Sequence, residues 1–203
     1  MKQIQELPVL NRKAFPNLVI VGGTASGKTT VAYQLAKLIG FGVLDLDEWI
    51  EKKAGRPISE IFLSEGEAAF RQMETEALQG IQPILNHIII PGGGTLEREE
   101  NWQMLKQLGP AIWLATPRSE IVYRLLLNPD EIAKRPKLAA TLDIADPVAR
   151  RASLEQHIAE LDAKREDKFK EADYTMTLSF ATAGTCAQFI KSMLLSGQTP
   201  AMT

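Results

Sequence analysis

The octapeptide Gly22-Gly23-Thr24-Ala25-Ser26-Gly27-Lys28-Thr29 limits what this chain can fold into more than any other stretch. The apolar run Leu18-Val19-Ile20-Val21 precedes it, and a helical pattern from Val31 to Ile39 follows. Strand, glycine turn and helix thus come in the order of a phosphate-binding loop, in which backbone N–H groups at a helix N-terminus cradle phosphate oxygens. Gly22 and Gly27 omit the Cβ atoms that would obstruct a close approach. In such a loop Lys28 reaches the β- and γ-phosphates, and the Thr29 hydroxyl holds Mg²⁺. The plainer alternative, an ordinary glycine-rich turn, is weakened by the strand before it and the helix after it.

A chain of 203 residues is long enough to bury a sizeable core in one domain. Its 45% hydrophobic and 24% charged residues are ordinary for a globular protein. The formal charge of −2 offers no overall attraction to nucleic acid or to an acidic membrane. Basic residues crowd the span 118–170, but acidic ones such as Asp130, Glu131, Asp143, Asp146, Asp162 and Asp167 are interleaved, as on a solvated helical surface. The single cysteine, Cys186, excludes an internal disulfide and reads as packing within a helix. No segment approaches the ~18 apolar residues of a membrane span, and the first sixteen residues lack the apolar core of a secretory signal. A cytoplasmic location is the expectation.

Residues 1–16 read as an irregular N-terminal extension, 17–195 as one α/β domain, and 196–203 as a frayed tail. Strands are expected at 17–21, 42–45, 86–90, 111–115 and 174–178, alternating with helices, which indicates a parallel sheet. Asp45 and Asp47 fall at the carboxyl end of the second strand, where open α/β sheets gather ligands. In extended chain their spacing puts both carboxylates on one side, about 6–7 Å apart. The alternative is an acidic helix N-cap at Asp47-Glu48. A short helix follows over 49–54, and a longer one over 64–81 opens with the capping-box pattern Ser64-Glu65-Gly66-Glu67. Arg71 on that helix can face solvent or the site. Gly92-Gly93-Gly94 after the third strand lets backbone come close to a ligand, or forms a plain loop. Neither His87, at the far end of that strand, nor His157, in a charged helix, looks catalytic. Residues 128–146, rich in proline and charge, read as a mobile polar flap, and 148–173 as one long charged helix.

Taken in series, these motifs resemble shikimate kinase. The phosphate loop is followed by Asp45-Leu46-Asp47, then Gly66-Glu67-x-x-Phe70-Arg71, Gly92-Gly93-Gly94, Arg135-Pro136, and Arg165 with Phe169 and Glu171, over about residues 18–195. The resemblance implies a P-loop kinase fold: a central five-stranded parallel sheet flanked by helices, a small substrate-binding region at about 45–80 and a lid at about 128–147. It implies ATP as co-substrate, contacted by Ala25, Ser26, Gly27, Lys28, Thr29, Thr30 and Arg135, with Mg²⁺ on Thr29 and, through water, on Asp45. It implies that Asp47, Arg71, Gly92, Gly93, Gly94 and Arg165 hold shikimate, and that Lys28, Asp47 and Arg135 carry the chemistry. The implied partners are small molecules alone, and the implied state is a monomer. Those roles suit the residue types, since guanidinium forks pair with carboxylates and catalysis of phosphoryl transfer is mostly positioning and electrostatics.

The chain departs from that family pattern in five places. Ala25 and Ala32 stand where glycine is usual, and Pro91 replaces a small hydroxyl residue. The lid reads Arg135-Pro136-Lys137-Leu138, and Glu166-Asp167-Lys168-Phe169 follows Arg165 in place of Asn-Pro-Leu-Tyr. The last two keep open a kinase of another small polyol acid such as gluconate. Pro91 and the lid keep open a non-catalytic nucleotide-binding module. The loop also resembles that of tRNA prenyltransferases, but the longer chain and basic RNA-binding surface of that class are missing.

Overall fold

In the computed structural model, which describes residues 16–133, 135–177 and 182–196, four apolar residues with no accessible surface form β1, Leu18–Val21. Most of the expected N-terminal extension and C-terminal tail, and the end of the last expected strand at Leu178, lie outside those residues. The chain continues through α1 (Lys28–Ile39), β2 (Gly42–Asp45), α2 (Leu46–Ala54), α3 (Ile58–Gly80) and β3 (His87–Ile90). A 3-10 turn (Thr95–Glu97) leads to α4 (Glu99–Leu108), β4 (Ala111–Ala115) and α5 (Arg118–Leu127). Two short helices, α6 (Pro129–Ala133) and α7 (Pro136–Ala139), and a second 3-10 turn (Ala140–Asp143) precede α8 (Pro147–Ala163). The chain then runs through α9 (Glu166–Lys170), β5 (Tyr174–Thr177) and α10 (Ala183–Ser196).

All five strands are parallel, in the order β2-β3-β1-β4-β5. Alternate residues of each strand feed two apolar layers, as a two-residue side-chain period requires. Leu18, Ile20, Ile88, Ile90, Ile112 and Leu114 pack with α1 and α10 on one face. Val19, Val21 and Ile89 pack with α2, α3, α4 and Phe169 on the other. Cys186 is buried in the first of these layers. Among the described residues no helix is long and apolar enough to cross a membrane.

Three expectations are corrected by these packing demands. The long helix begins at Ile58, with a kink at Gly66 (φ 83°, ψ 172°), because Ile61 is drawn into the core ahead of the expected start. The span expected as one helix from 148 breaks after Ala163, and Arg165 sits in the break with φ −120°. The segment 128–146 is not merely polar: Ile132, Leu138 and Thr141 are buried, the first two in a third apolar cluster with Ile121, Val122, Leu125, Leu154 and Ile158. The lid is thus folded down on α5 and α8, its apolar residues hidden in a proline-rich composition.

At the amino ends of the strands, Asn17 closes the sheet. Its side-chain amide donates to the carbonyls of Ile84 (2.9 Å) and Leu108 (3.2 Å), and its Oδ1 accepts from the His87 amide at 3.0 Å. Asn17→Ala leaves two carbonyls and an amide in a closed environment without this partner, and each orphaned group costs about 1–3 kcal/mol. We expect a loss of about 2–3 kcal/mol, read as a drop of about 5–10 °C in Tm by calorimetry.

Candidate active site

The sheet order sets the carboxyl ends of β2, β3 and β1 side by side, so that three loops distant in sequence meet. The loop after β1 turns on Gly27, whose φ of 94° suits a residue without Cβ. Ala25 also lies in the left-handed region, at φ 54°. That conformation costs a non-glycine residue about 1–2 kcal/mol, and the methyl group in return packs against the apolar cluster under the lid. Lys28 folds back over the loop, donating from Nζ to the carbonyls of Gly22 and Gly23 at 3.0 and 2.9 Å. Burial pushes its ammonium down to about 8, against the pull of Asp47.

Asp45, ending β2, serves as N-cap of α2: its Oδ1 accepts from the Asp47 amide at 3.1 Å. The helix therefore starts earlier than expected, and the cap is Asp45 rather than Asp47. Its other oxygen accepts from the Thr29 hydroxyl at 3.2 Å. This pair presents two hard oxygen donors, a set that suits Mg²⁺ shared with phosphates. Among the described residues no group of three or more His, Cys, Asp or Glu side chains is gathered to cage a metal. Mg²⁺ needs no such cage, because it keeps waters and substrate oxygens as its remaining ligands.

Asp47 is half-buried, and its Oδ1, itself shielded from solvent, has no hydrogen-bond partner. Burial first, then the charges of Asp45 and Glu74, pushes its carboxyl up to about 7. The reason the triple glycine is glycine now becomes concrete. A Cβ on Gly92 would collide with the Asp47 carboxylate, and one on Gly94 with the Arg71 guanidinium. A Cβ on Gly93 would stand 2.9 Å from Arg165 Nη1. Three successive residues form a bare ledge, with one charged side chain laid against each.

Arg71 faces the site rather than solvent. It donates to Glu74 at 2.7 Å and to Glu67 at 2.9 Å, one helical turn away on α3. Burial opposes its charge, but Glu74 and Glu67, with Glu97 at longer range, outweigh that and hold it above its ordinary value. Glu74 has no accessible surface and accepts from the Thr95 hydroxyl at 2.5 Å. Arg165, 4% exposed, donates from Nε and Nη2 to Glu97. Arg135, at the start of α7, pairs with Glu131 at 2.8 Å.

Two cavities flank this cluster. One of about 410 Å³ is lined by Ala25, Ser26, Gly27, Lys28, Thr29 and Thr30 together with Arg124 and Arg135. The other, about 520 Å³, is lined by Asp45, Asp47, Arg71, the three glycines and Arg165. Lys28, Thr29, Glu131 and Arg135 belong to both walls. Every site residue expected from the sequence therefore lies on one cavity or the other. Four that matter to the geometry were missed. Glu74 was findable, three residues after Arg71 on the same helix. Glu97, Arg124 and Asp162, which lies beside Gly23, carry no local signal, because their neighbours come from other parts of the chain.

The pH dependence of stability follows from Asp47. Its carboxyl, ordinarily at 3.8 in the unfolded chain, is raised to about 7 by folding. The folded state thus holds a proton that the unfolded state has released, so Asp47's contribution is fully present below about 4 and is lost as pH rises through about 7. Asp47→Asn removes the buried charge. We expect it to stabilise the protein at pH 8 by on the order of 2 kcal/mol, with the difference gone at pH 4. Denaturant unfolding of both proteins at the two pH values reads this directly.

Residues 24–191 match the family model described as shikimate kinase. The shikimate kinase of Synechococcus elongatus is 44% identical over 109 residues, 54% of this chain. That alignment spans 57% of the Synechococcus protein's length. The shikimate kinase of Chlorobium chlorochromatii is 33% identical over 162 residues, 79% of this chain and 82% of that protein. Among solved structures, shikimate kinase from Acinetobacter baumannii in complex with shikimate superposes with a TM-score of 0.77 at 33% identity, covering 90% of this chain and 94% of that one.

Proposed function

The chain belongs to the shikimate kinase family, and from that premise we propose that it transfers the γ-phosphoryl group of ATP to the 3-hydroxyl of shikimate. The observation that carries this reading is the meeting of two cavities at a common wall of Lys28, Thr29 and Arg135, with the unpartnered Oδ1 of Asp47 beside it. ATP fits the cavity along the glycine loop, and its triphosphate would take the backbone amides at the start of α1. Shikimate fits the second cavity, where Arg71 and Arg165 suit its carboxylate. Asp47, raised to about 7, is matched to taking the proton of the attacking hydroxyl near neutral pH. Lys28 and Arg135 offset negative charge on the group in transfer, and the ledge of glycines leaves room for the ring.

Thr29, and Asp45 through water, would hold Mg²⁺, which would supply charge neutralisation at the phosphates. The lid, carrying Arg135, excludes water that would otherwise take the phosphoryl group. The same reading takes the protein to work as a monomer in the cytoplasm on small molecules, with neither nucleic acid nor membrane as partner. A second reading, a kinase of another polyol acid such as gluconate, draws on one feature: Arg71 and Arg165 already have carboxylate partners within the chain.

Coupled ADP release tests both readings. We expect turnover that depends on shikimate and Mg²⁺, and a loss of at least about a hundredfold in kcat for Asp47→Ala with ATP binding retained. A higher kcat/KM on gluconate or another polyol acid would give the site to the second reading. The charge states set the pH profile. On the free enzyme kcat/KM should fall below about pH 7 as Asp47 gains its proton. With ATP as the varied substrate it should fall again above about pH 8 as Lys28 loses its charge. A flat profile across that range contradicts these assignments.

A further inference from the structure

Arg165 is held by one edge of its guanidinium only. Nε and Nη2 both donate to a single oxygen, Oε1 of Glu97, at 3.0 and 2.9 Å. The remaining nitrogen, Nη1, is buried and has no partner. It lies against Gly93, on the wall of the cavity that also holds Asp47 and Arg71. A buried, unpaired guanidinium nitrogen in an otherwise tightly held side chain points to an acceptor that arrives with a ligand.

Glu97 is held by its backbone, and its side chain is partly exposed. It ends the 3-10 turn that follows the glycine ledge, and its amide donates to the Gly94 carbonyl at 3.0 Å. The side chain therefore ties the ledge to an arginine 68 residues further along, in the break between α8 and α9. An unrestrained arginine spreads over many rotamers. This one is locked into the rotamer that puts Nη1 over Gly93. Glu97 also acts on Arg71 through its charge, so one carboxylate serves the cations on both sides of the ledge.

We propose that Glu97 is a positioning residue for acceptor recognition: by holding Nε and Nη2 of Arg165, it aims Nη1 at the acceptor's carboxylate. This rests on the reading of the second cavity as an acid-alcohol site. With the Nε edge of the guanidinium taken, the acceptor carboxylate is read by position, from Nη1 of Arg165 on one side and from Arg71 on the other. A carboxylate shifted by about 1 Å loses that contact, which makes Glu97 a determinant of which acid fits.

The test compares wild type, Glu97→Ala and Glu97→Gln with shikimate and with its carboxamide, and follows the Arg165 Nε–H resonance in the ligand-free proteins. Glu97→Ala is expected to raise KM for shikimate about tenfold, the equivalent of one ordinary hydrogen bond. The kcat, the KM for ATP and the KM for the carboxamide should stay within about twofold. Glu97→Gln keeps an acceptor oxygen and should recover most of the loss. The Nε–H resonance should be protected from exchange in wild type and Glu97→Gln and lost in Glu97→Ala.

An unchanged shikimate KM in Glu97→Ala overturns the proposal. So does an equal rise in the KM for ATP with a lowered Tm, which marks a purely structural role. Glu97→Gln as impaired as Glu97→Ala overturns it too, since charge and not positioning would then be at work. Wild type that turns over another acid but not shikimate defeats the substrate assignment alone. The exchange of the Arg165 resonance, measured without substrate, still decides whether Glu97 holds the arginine.

Discussion

The complete burial of β1 between β3 and β4 is the constraint on which the site depends. Leu18 to Val21 expose no surface, so the strand is committed on both faces and on both hydrogen-bonding edges. A strand held in this way leaves its following loop no freedom of direction. Residues 22–27 must emerge at the carboxyl end of the sheet, beside the ends of β3 and β2. That single placement aligns the amides at the start of α1, the glycine ledge and the Asp45–Asp47 pair. Asn17 secures the opposite end, binding three chain segments through one amide. The phosphate loop can be strained at Ala25 because the strand before it and the helix after it are over-determined.

Within the site, charge is gathered at the expense of fold stability. Asp47 keeps one buried oxygen without a partner, Lys28 is pushed toward neutrality, and Arg165 keeps an unpaired nitrogen. Burying such groups is unfavourable unless each is paired. Here most are paired in part: Glu74 with Arg71 and Thr95, Glu97 with Arg165, Asp45 with Thr29. The unpaired remainder points inward at the two cavities. Groups left short of partners in this way are what a ligand bearing phosphate, hydroxyl and carboxylate would complete.

The segments that depart from the family pattern have found other means of support. After Arg165, Phe169 stacks on Trp113 with ring centroids 5.5 Å apart. Glu171 accepts from the Trp102 indole at 2.7 Å, and this bond first, then Lys168, holds its carboxyl down at about 2. The short helix α9 is thereby fixed to α4 and β4, and with it the backbone that carries Arg165. In the lid, Ile132 and Leu138 supply the apolar contact with α5 and α8 that its proline-rich composition conceals. Both segments keep an arginine in place by contacts with distant elements.

How much of this was legible depended on the range of the interactions. The alternation of apolar strands with helices and the glycine turns are local properties of the chain, and from them the parallel five-stranded sheet followed. The kink at Gly66, the break at Arg165 and the folding of the lid were not legible, since packing against residues far along the chain set each one. Arg71 could not be oriented from its own helix alone, because the bare Gly94, 23 positions further along, provides the space its guanidinium lies in. By itself the sequence determined that a phosphate-binding turn follows a buried strand, for that needs only neighbours in the chain. Only the tertiary structure decided that Glu97 would take one edge of Arg165 and leave the other facing Gly93. That contact joins residues 68 positions apart and exists only when the sheet has brought them together.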